Sequence, residues 1–350
     1  IWVLFHYVRI MNKTHFLCLL LSVILFSCFK KETNVPRKTT GKINTISVII
    51  DDQLWNGEIG DSIRNKFASP VIGLPEEEPL FTINQYPVKL MEGFAIDTRT
   101  IIVVKKGFKK RFEIKNNQYA TPQKVFHISG ITATEVLDLI EQHYQEMIEL
   151  IEQGEIKESQ RINKKLIASN SFIGRRFNIA IQIPSHFQLV MQKPNFVWLK
   201  KKIISGSSSL LLYQVPLKTI TKERVELAIL KMRDSIGQFI QGREPNTYMI
   251  SETGYTPYFF KSKLDNRLAY ETRGTWQLHN DYMSGPFINY TLVDTATNKV
   301  LVLEGFCYSP SKDKRDVMHE LEAIIHSVHL LKSNTFTPHK KKIHGTRMED

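Results

Sequence analysis

Residues 268–308 read LAYETRGTWQLHNDYMSGPFINYTLVDTATNKVLVLEGFCY, and this stretch decides the fold. Leu268–Leu278, Phe287–Val293 and Val300–Tyr308 are runs rich in aromatic and β-branched residues, separated by polar segments. Such runs bounded by turn residues are strands. The clearest turn is Asp294 to Lys299, and the three runs predict an antiparallel meander. Alternation in the first run places Tyr270, Thr272, Gly274 and Trp276 on one face, and Glu271, Arg273, Thr275 and Gln277 on the other.

Working outward, Asp313 to Leu331 carries Val317, Leu321, Ile324, Val328 and Leu331 at helical spacing and predicts a closing helix with that stripe inward. Upstream, Tyr248–Glu252 predicts a strand, and 221–240 a helix with Val225, Ile229, Met232, Ile236 and Phe239 on one side. Asn195–Lys202 and Leu210–Val215 predict a hairpin through Gly206-Ser207-Ser208, and the unit begins near Phe177–Ile183. These elements form one unit, 169–331.

An earlier unit spans 45–168. Ile46–Ile50 predicts a strand ending at Asp51-Asp52, followed after Trp55-Asn56-Gly57 by a short helix carrying Ile59, Ile63 and Phe67. The Pro70–Pro87 stretch predicts a long loop around one short strand, and further strands follow at Thr100–Val104 and Lys124–Ser129. Thr132 with Glu135 forms a capping box. It opens a helix whose stripe runs from Val136 to Ile151, and a polar helical stretch, Glu155 to Ala168, is expected to link the units. Strands and helices mix without regular βαβ alternation, so the expected class is α+β: two units with mostly antiparallel sheets, each ending in an amphipathic helix.

The chain has 350 residues, 42% hydrophobic and 23% charged, which excludes a disordered or fibrous protein. Three Cys exclude a disulfide scaffold. From Met11 the sequence reads MNKTHFLCLLLSVILFSCFKKET: Lys13 is a positive start, Phe16–Phe26 an apolar run, and Leu25-Phe26-Ser27-Cys28 its end. The run is shorter than the roughly 20 residues of a spanning helix and ends on a small residue, as a secretory signal does. Leu-x-Ser-Cys is the lipobox pattern, so Cys28 is expected to carry lipid, its thiol being the nucleophile that forms the thioether. Residues 1–10 read as an upstream extension of the 1–27 signal. Residues 28–44 read as a flexible tether. Several acyl chains, at roughly 0.8 kcal/mol per buried CH2, would hold the protein permanently on a membrane. Phe29 after the Cys, with no acidic cluster, favours the periplasmic face of an outer membrane. Residues 332–350 read as a disordered basic tail.

The lipobox, VIIDDQLWNGEIGD (48–61), PNFVWL (194–199), ETRGTWQLHNDYMSGPFINYT (271–291) and VLEGFCYSP (302–310), in this order, resemble the Bacteroidota lipoproteins grouped as domain of unknown function 4837. The similarity runs from about Ile43 to Leu331. It implies an envelope lipoprotein of a Gram-negative bacterium, and it carries over no functional residue except Cys28.

Catalytic motifs are absent from the sequence: no G-x-S-x-G, P-loop, G-x-G-x-x-G or C-x-x-C. Asp51 and Asp52 sit where open sheets place ligands, beside Trp55, although neighbouring strand residues point to opposite faces and Asp equally caps a helix. Arg273 beside Glu271 reads by default as an ion pair on a solvated sheet; with Trp276 and Asp281 it would instead rim a pocket for an anionic or sugar ligand. His319, Glu322, His326 and His329 share a helical stripe that is not HExxH, and a solvated face is the expectation, with no metal or other cofactor. Cys307 reads as a buried small hydrophobe.

Net charge is +12, or +10 once Arg9 and Lys13 leave with the signal, with clusters at Lys105-Lys106, Lys109–Arg111, Arg175-Arg176 and Lys200–Lys202. No nucleic-acid motif accompanies them; for an exported protein anionic headgroups are the nearer partner. Two functions follow: a non-catalytic envelope module binding a partner protein or glycan through the second unit, or an envelope hydrolase pairing Asp51 or Asp281 with Glu304.

Overall fold

The computed structural model describes residues 37–107, 109–166, 171–220, 224–295 and 297–331. The expected signal, Cys28, the first part of the expected tether and the expected basic tail lie outside them. The strand β1 (Arg37–Lys38) runs beside a later pair of residues, and Thr40 bridges Thr98. The last eight residues of the expected tether thus line the first sheet. Arg99 fastens them by donating to the carbonyls of Gly41 and Lys42.

Next come β2 (Thr45–Ile49), a single turn α1 (Asp52–Trp55), α2 (Glu58–Phe67), β3 (Thr82–Tyr86), β4 (Thr100–Lys106), β5 (Arg111–Asn116), β6 (Ala120–Thr121) and β7 (Lys124–Gly130). The sheet order is β3-β2-β4-β7-β5, parallel except for β5 against β7. The β2 residues Ile46 and Val48 face α2 and the following long helix, while Ile49 faces a smaller cluster with Ile101 and Val103. A strand covered on both sides needs apolar residues at successive positions, which is why 46–50 shows no alternation. Strand β5 carries a weak strand pattern because four of the six residues in RFEIKN are polar and it borders solvent.

Helix α3 (Ala133–Lys164) is continuous, about 48 Å long at 1.5 Å per residue. Thr132 caps it by accepting from the Glu135 N–H, while the Glu135 carboxylate accepts from Ile131 N. Its stripe of Val136, Leu139, Ile140, Met147 and Ile151 closes the first core, then turns polar without leaving the interior. Glu155 is buried, bonded to Arg99 and to the Asn44 N–H, and Gln160 donates to the Ala323 carbonyl of the second unit. The stretch read as a linker is therefore a shared wall.

The second unit holds α4 (Ser171–Phe177), β8 (Ile179–Ala180), β9 (Gln188–Lys193), β10 (Phe196–Ile203), β11 (Gly206–Pro216), α5 (Val225–Gly237), β12 (Met249–Ser251), β13 (Tyr258–Leu264), β14 (Arg267–Leu278), β15 (Ser284–Asp294), β16 (Lys299–Tyr308), α6 (Arg315–Ile325) and β17 (His329–Leu330). Eight strands form an antiparallel sheet ordered β12-β14-β15-β16-β11-β10-β9, with β13 also on β14. The meander is as expected, and the chain as a whole is α+β with mostly antiparallel pairing. One face packs on α6 through Leu212, Ile288, Leu303 and Leu321; the other packs on α5 through Leu211, Trp276, Phe287 and Ile229. Each fully buried aliphatic side chain contributes about 1.5–3 kcal/mol.

Several boundaries differ from the sequence reading. The start of the second unit lies earlier, in a helix that ends at Phe177, and Ile179–Ala180 after it is extended. The hairpin turns at Ile204-Ser205, leaving Ser207 and Ser208 in the strand opposite Tyr308 and Cys307. Helix α5 is shorter than 221–240, with 221–223 outside the described residues. Strands β9 and β13 were missed because both are edge strands facing water. The last helix stops at Ile325, because the chain then pairs with β8: Asp265 accepts from Leu330 N and from His329 Nδ1, and Asn178 donates to the Leu331 carbonyl. Leu331 is exposed rather than inward. Among the described residues, no helix is long and apolar enough to cross a membrane.

Candidate functional site

The densest meeting of titratable side chains lies where α3 of the first unit faces β14, β15 and α6 of the second. Register places Glu271 opposite Tyr290 and Arg273 opposite Ile288, so the guanidinium stands on the α6 face. Arg273 donates through Nε to Glu271 and through Nη2 to Glu322 of α6. Tyr290 Oη donates to Glu322 Oε1 at 3.1 Å, so the 2.9 Å contact from His326 Nε2 to the same phenol oxygen is an N–H donation. Gly73, at φ +86°, lets the long loop of the first unit lie on this strand; a Cβ there would stand 2.7 Å from Arg273 Cβ.

The pair expected on a solvated sheet is thus half-buried: Arg273, Glu271 and Glu322 retain 22%, 12% and 18% of their side-chain exposure. The stripe expected on a solvated helix face turns inward, with Glu322 and His326 in the cluster and His319 Nε2 buried without a partner. The reason is α3, whose approach from the first unit is invisible to a local pattern. Of that stripe, His329 alone stands well out in solvent, bonded to Asp265.

Electrostatics push these groups apart. Desolvation opposes the charge on Arg273, but Glu322 and Glu271 outweigh it and hold the guanidinium above its ordinary value. Desolvation works against ionised Glu322 as well, and Arg273 reverses the balance, keeping its carboxyl below the ordinary value. Burial lowers His326, against the pull of Glu322, and raises Tyr290. Glu152 of α3 reaches solvent, yet desolvation by the surrounding protein and then the Glu322 carboxylate push its carboxyl up to about 7. A site whose acids are driven in opposite directions can hold a proton on one carboxyl while the other stays ionised. Carboxylates with a single Arg also suit the hydroxyls of a polar ligand.

Next to this cluster runs the edge strand β13, where Tyr258 lies opposite Arg273 and Phe260 opposite Glu271. Opposed residues share a face with Cβ atoms about 5 Å apart. Both rings are exposed, as is Tyr255 just before the strand. The result is a charged crevice with an aromatic rim.

The other residues singled out do not join it. Trp276 is buried on the opposite face, its Nε1 donating to the Cys307 carbonyl at 3.1 Å, so Arg273 and Trp276 are separated by the sheet. Asp281 lies in the β14–β15 turn and accepts from Met283 N. Asp51 and Asp52 end β2 in the first unit: Asp51 makes no side-chain cap, and Asp52 accepts from Gln85 Nε2 at 3.0 Å. Trp55 stacks under the Arg64 guanidinium. Glu304 is sealed against Arg233 and Asn289 on the α5 face. Cys307 is buried, its thiol pushed up to about 12 by desolvation. Among the described residues no group of three or more His, Cys, Asp or Glu is placed to hold a metal.

Sequence reasoning missed Glu152, Tyr290, Tyr258 and Phe260. The alternation of β14 located Arg273 and Glu271, but nothing local ties them to a helix 50 residues downstream or to α3. For Tyr258 and Phe260 a signal existed, the Tyr-Phe-Phe run at 258–260.

No curated protein matches the chain. Three solved structures illustrate its similarity to known folds. The Ran-binding protein Mog1p of Saccharomyces cerevisiae is 8% identical over 44% of this chain and 90% of its own, with a TM-score of 0.30. LpqN, involved in cell envelope biogenesis of Mycobacterium tuberculosis, is 10% identical over 44% and 83%, at 0.27. Human StAR-related lipid transfer protein 5 is 8% identical over 49% and 95%, at 0.22. Likeness at this level transfers no function. The expected similarity to one family across both units resolves into two: residues 39–164 match the family model described as Domain of unknown function (DUF8532), and residues 167–327 match Domain of unknown function (DUF4837).

Proposed function

We propose that this protein is a lipid-anchored module of the cell envelope that binds a partner protein or an envelope glycan through its second unit, without chemistry on it. The observation that carries this reading is the aromatic rim of Tyr258 and Phe260 directly across from the Arg273–Glu271 pair. Exposed rings give flat apolar area, and the adjacent carboxylates and guanidinium give hydrogen bonds to hydroxyl or amide groups. The outer side of β13, unpaired among the described residues, adds main-chain donors and acceptors. The lipobox ending at Cys28 supports attachment through lipid, and the periplasmic face of an outer membrane is the proposed location. The hydrolase alternative draws no support from geometry, since Glu304 is fully enclosed by its Arg233 and Asn289 bonds.

Affinity capture from membranes with the full chain, alongside retention on isolated envelope glycan, tests the binding. A specific protein or glycan should be retained, and Tyr258→Ala with Phe260→Ala should abolish retention at unchanged melting temperature. Equal retention by the double variant removes the rim from the reading. Mass spectrometry of the mature N-terminal peptide tests the anchor, with acyl mass expected on Cys28.

A further inference from the structure

Open clefts of about 400 and 530 Å3 both lie in the first unit, away from the crevice. The larger runs over the face of the five-stranded sheet opposite α2 and α3, and its composition is one-sided. Lys105, Lys109, Arg111 and Lys115 line it together with a single carboxylate, Glu113.

The register explains how they converge. Lys105 of β4 pairs with Ser129 of β7, and Ser129 with Arg111 of β5, so Lys105 and Arg111 flank Ser129 in one row. Strands lie about 4.8 Å apart, which sets the two cationic residues about 10 Å apart at the backbone. The next row holds Val103, His127 and Glu113, and the one after it brings in Lys115. Lys105 and Ser129 stand near the carboxyl ends of parallel strands, the end at which open sheets receive ligands. Ser129 Oγ donates to the Lys109 carbonyl at 3.0 Å, and Gly107 N to the Gly130 carbonyl at 2.9 Å, so the β4–β5 connection is held over the row. Glu113 is shared between Arg111 and Lys115. Among the described residues, Lys105 and Lys109 have no carboxylate partner.

We propose that this cleft binds a phosphomonoester dianion, free or carried on a lipid headgroup, through Lys105, Lys109, Arg111 and Lys115. A cleft of this volume suits a headgroup-sized ligand. Four cations against one carboxylate leave a surplus that a dianion offsets more fully than a monoanion does. His127, on the cleft floor, reports the field: desolvation and then Lys115, Lys105 and Arg111 hold its imidazole below its ordinary value, with Glu113 opposing. Its Nε2 is committed to Gln118 Oε1 at 2.7 Å, leaving Nδ1 to take up a proton once a dianion cancels the cations.

The test is an NMR titration of the His127 ring in the full chain with glycerol 3-phosphate, with the monoanionic diester dimethyl phosphate as the control. Phosphatidylcholine vesicles with and without phosphatidic acid form a parallel arm. Saturable shifts with the phosphomonoester, accompanied by a rise in the His127 pKa, are expected. Lys105→Gln with Arg111→Gln should weaken binding at least about tenfold, since each cation contributes a factor of about five. Exchanging the two charges, Lys105→Arg with Arg111→Lys, should largely restore it. Binding of the soluble ester assigns a free ligand; binding of phosphatidic acid vesicles alone assigns a lipid-borne one. The proposal falls if neither probe binds, if dimethyl phosphate shifts His127 equally, if the Gln variant binds unchanged, or if a single-stranded oligonucleotide outcompetes the phosphomonoester.

Discussion

Two arginine–carboxylate clusters sit on opposite faces of one sheet, and they differ in how completely the protein closes over them. Under α5, Arg233 donates through Nε to Glu304 at 3.0 Å, its guanidinium lies 3.7 Å over the Phe287 ring, and Ser251 and Asn289 complete the network. Arg233 and Glu304 retain 1% and 0% exposure. Under α6, Arg273 holds two carboxylates while reaching solvent beside an aromatic edge. The sealed pair satisfies itself and serves the fold. The open cluster has capacity left for a ligand, and its Glu322 carboxyl and His326 imidazole are both shifted by their surroundings.

The sharpest way to break this comparison is to unpair each in turn. Glu304→Ala strands the Arg233 charge in the interior and is expected to cost about 3–5 kcal/mol in urea unfolding. Adding Arg233→Met should recover most of that loss. Gly305→Ala acts on the other face: its new Cβ would stand 2.7 Å from Leu321 Cβ and wedge α6 off the sheet. Overpacking of this kind costs about 1–3 kcal/mol, and the same variant should disturb the His326 and Glu322 titrations. Arg273→Met, at a site still open to water, is expected to cost only about 1–2 kcal/mol. A loss as large as that of Glu304→Ala would erase the distinction between the two clusters.

The smallest effect is on pH dependence. Glu152, at about 7, binds a proton in the folded state that the unfolded chain, with an ordinary value of 4.5, has already lost. Its contribution to stability therefore falls as pH rises from about 4.5 to about 7. His326 works the other way: its folded value lies below the ordinary 6.5, so the unfolded chain takes the proton first and stability falls as pH drops below that value. Carboxyl NMR should place the Glu152 midpoint near 7, and Glu322→Gln should lower it. An unmoved midpoint would show that Glu322 does not set it.

Part of the candidate site was readable. Alternation along β14 put Glu271 and Arg273 on one face and Trp276 on the other, and the structure keeps that arrangement. The pattern could not say that Trp276 would be buried, because alternation separates faces without revealing what covers each. Glu155 and Glu322 show the same limit: both carry carboxylates at positions where polarity suggests solvent, yet Glu155 is buried and Glu322 half-buried, each against an arginine more than 45 residues away.

From sequence alone came the elements whose stabilisation is local or periodic. The meander strands, the helix with Ile59, Ile63 and Phe67, the Thr132 cap and the burial of Cys307 all follow from spacing and residue type within a short window. Tertiary structure alone decided the unity of α3, the pinning of 37–44, the loop of the first unit laid across β14, and the convergence of Lys105, Ser129 and Arg111. Those depend on hydrogen bonds and charges exchanged between distant segments. A polar side chain looks the same in sequence whether water or a buried partner will receive it.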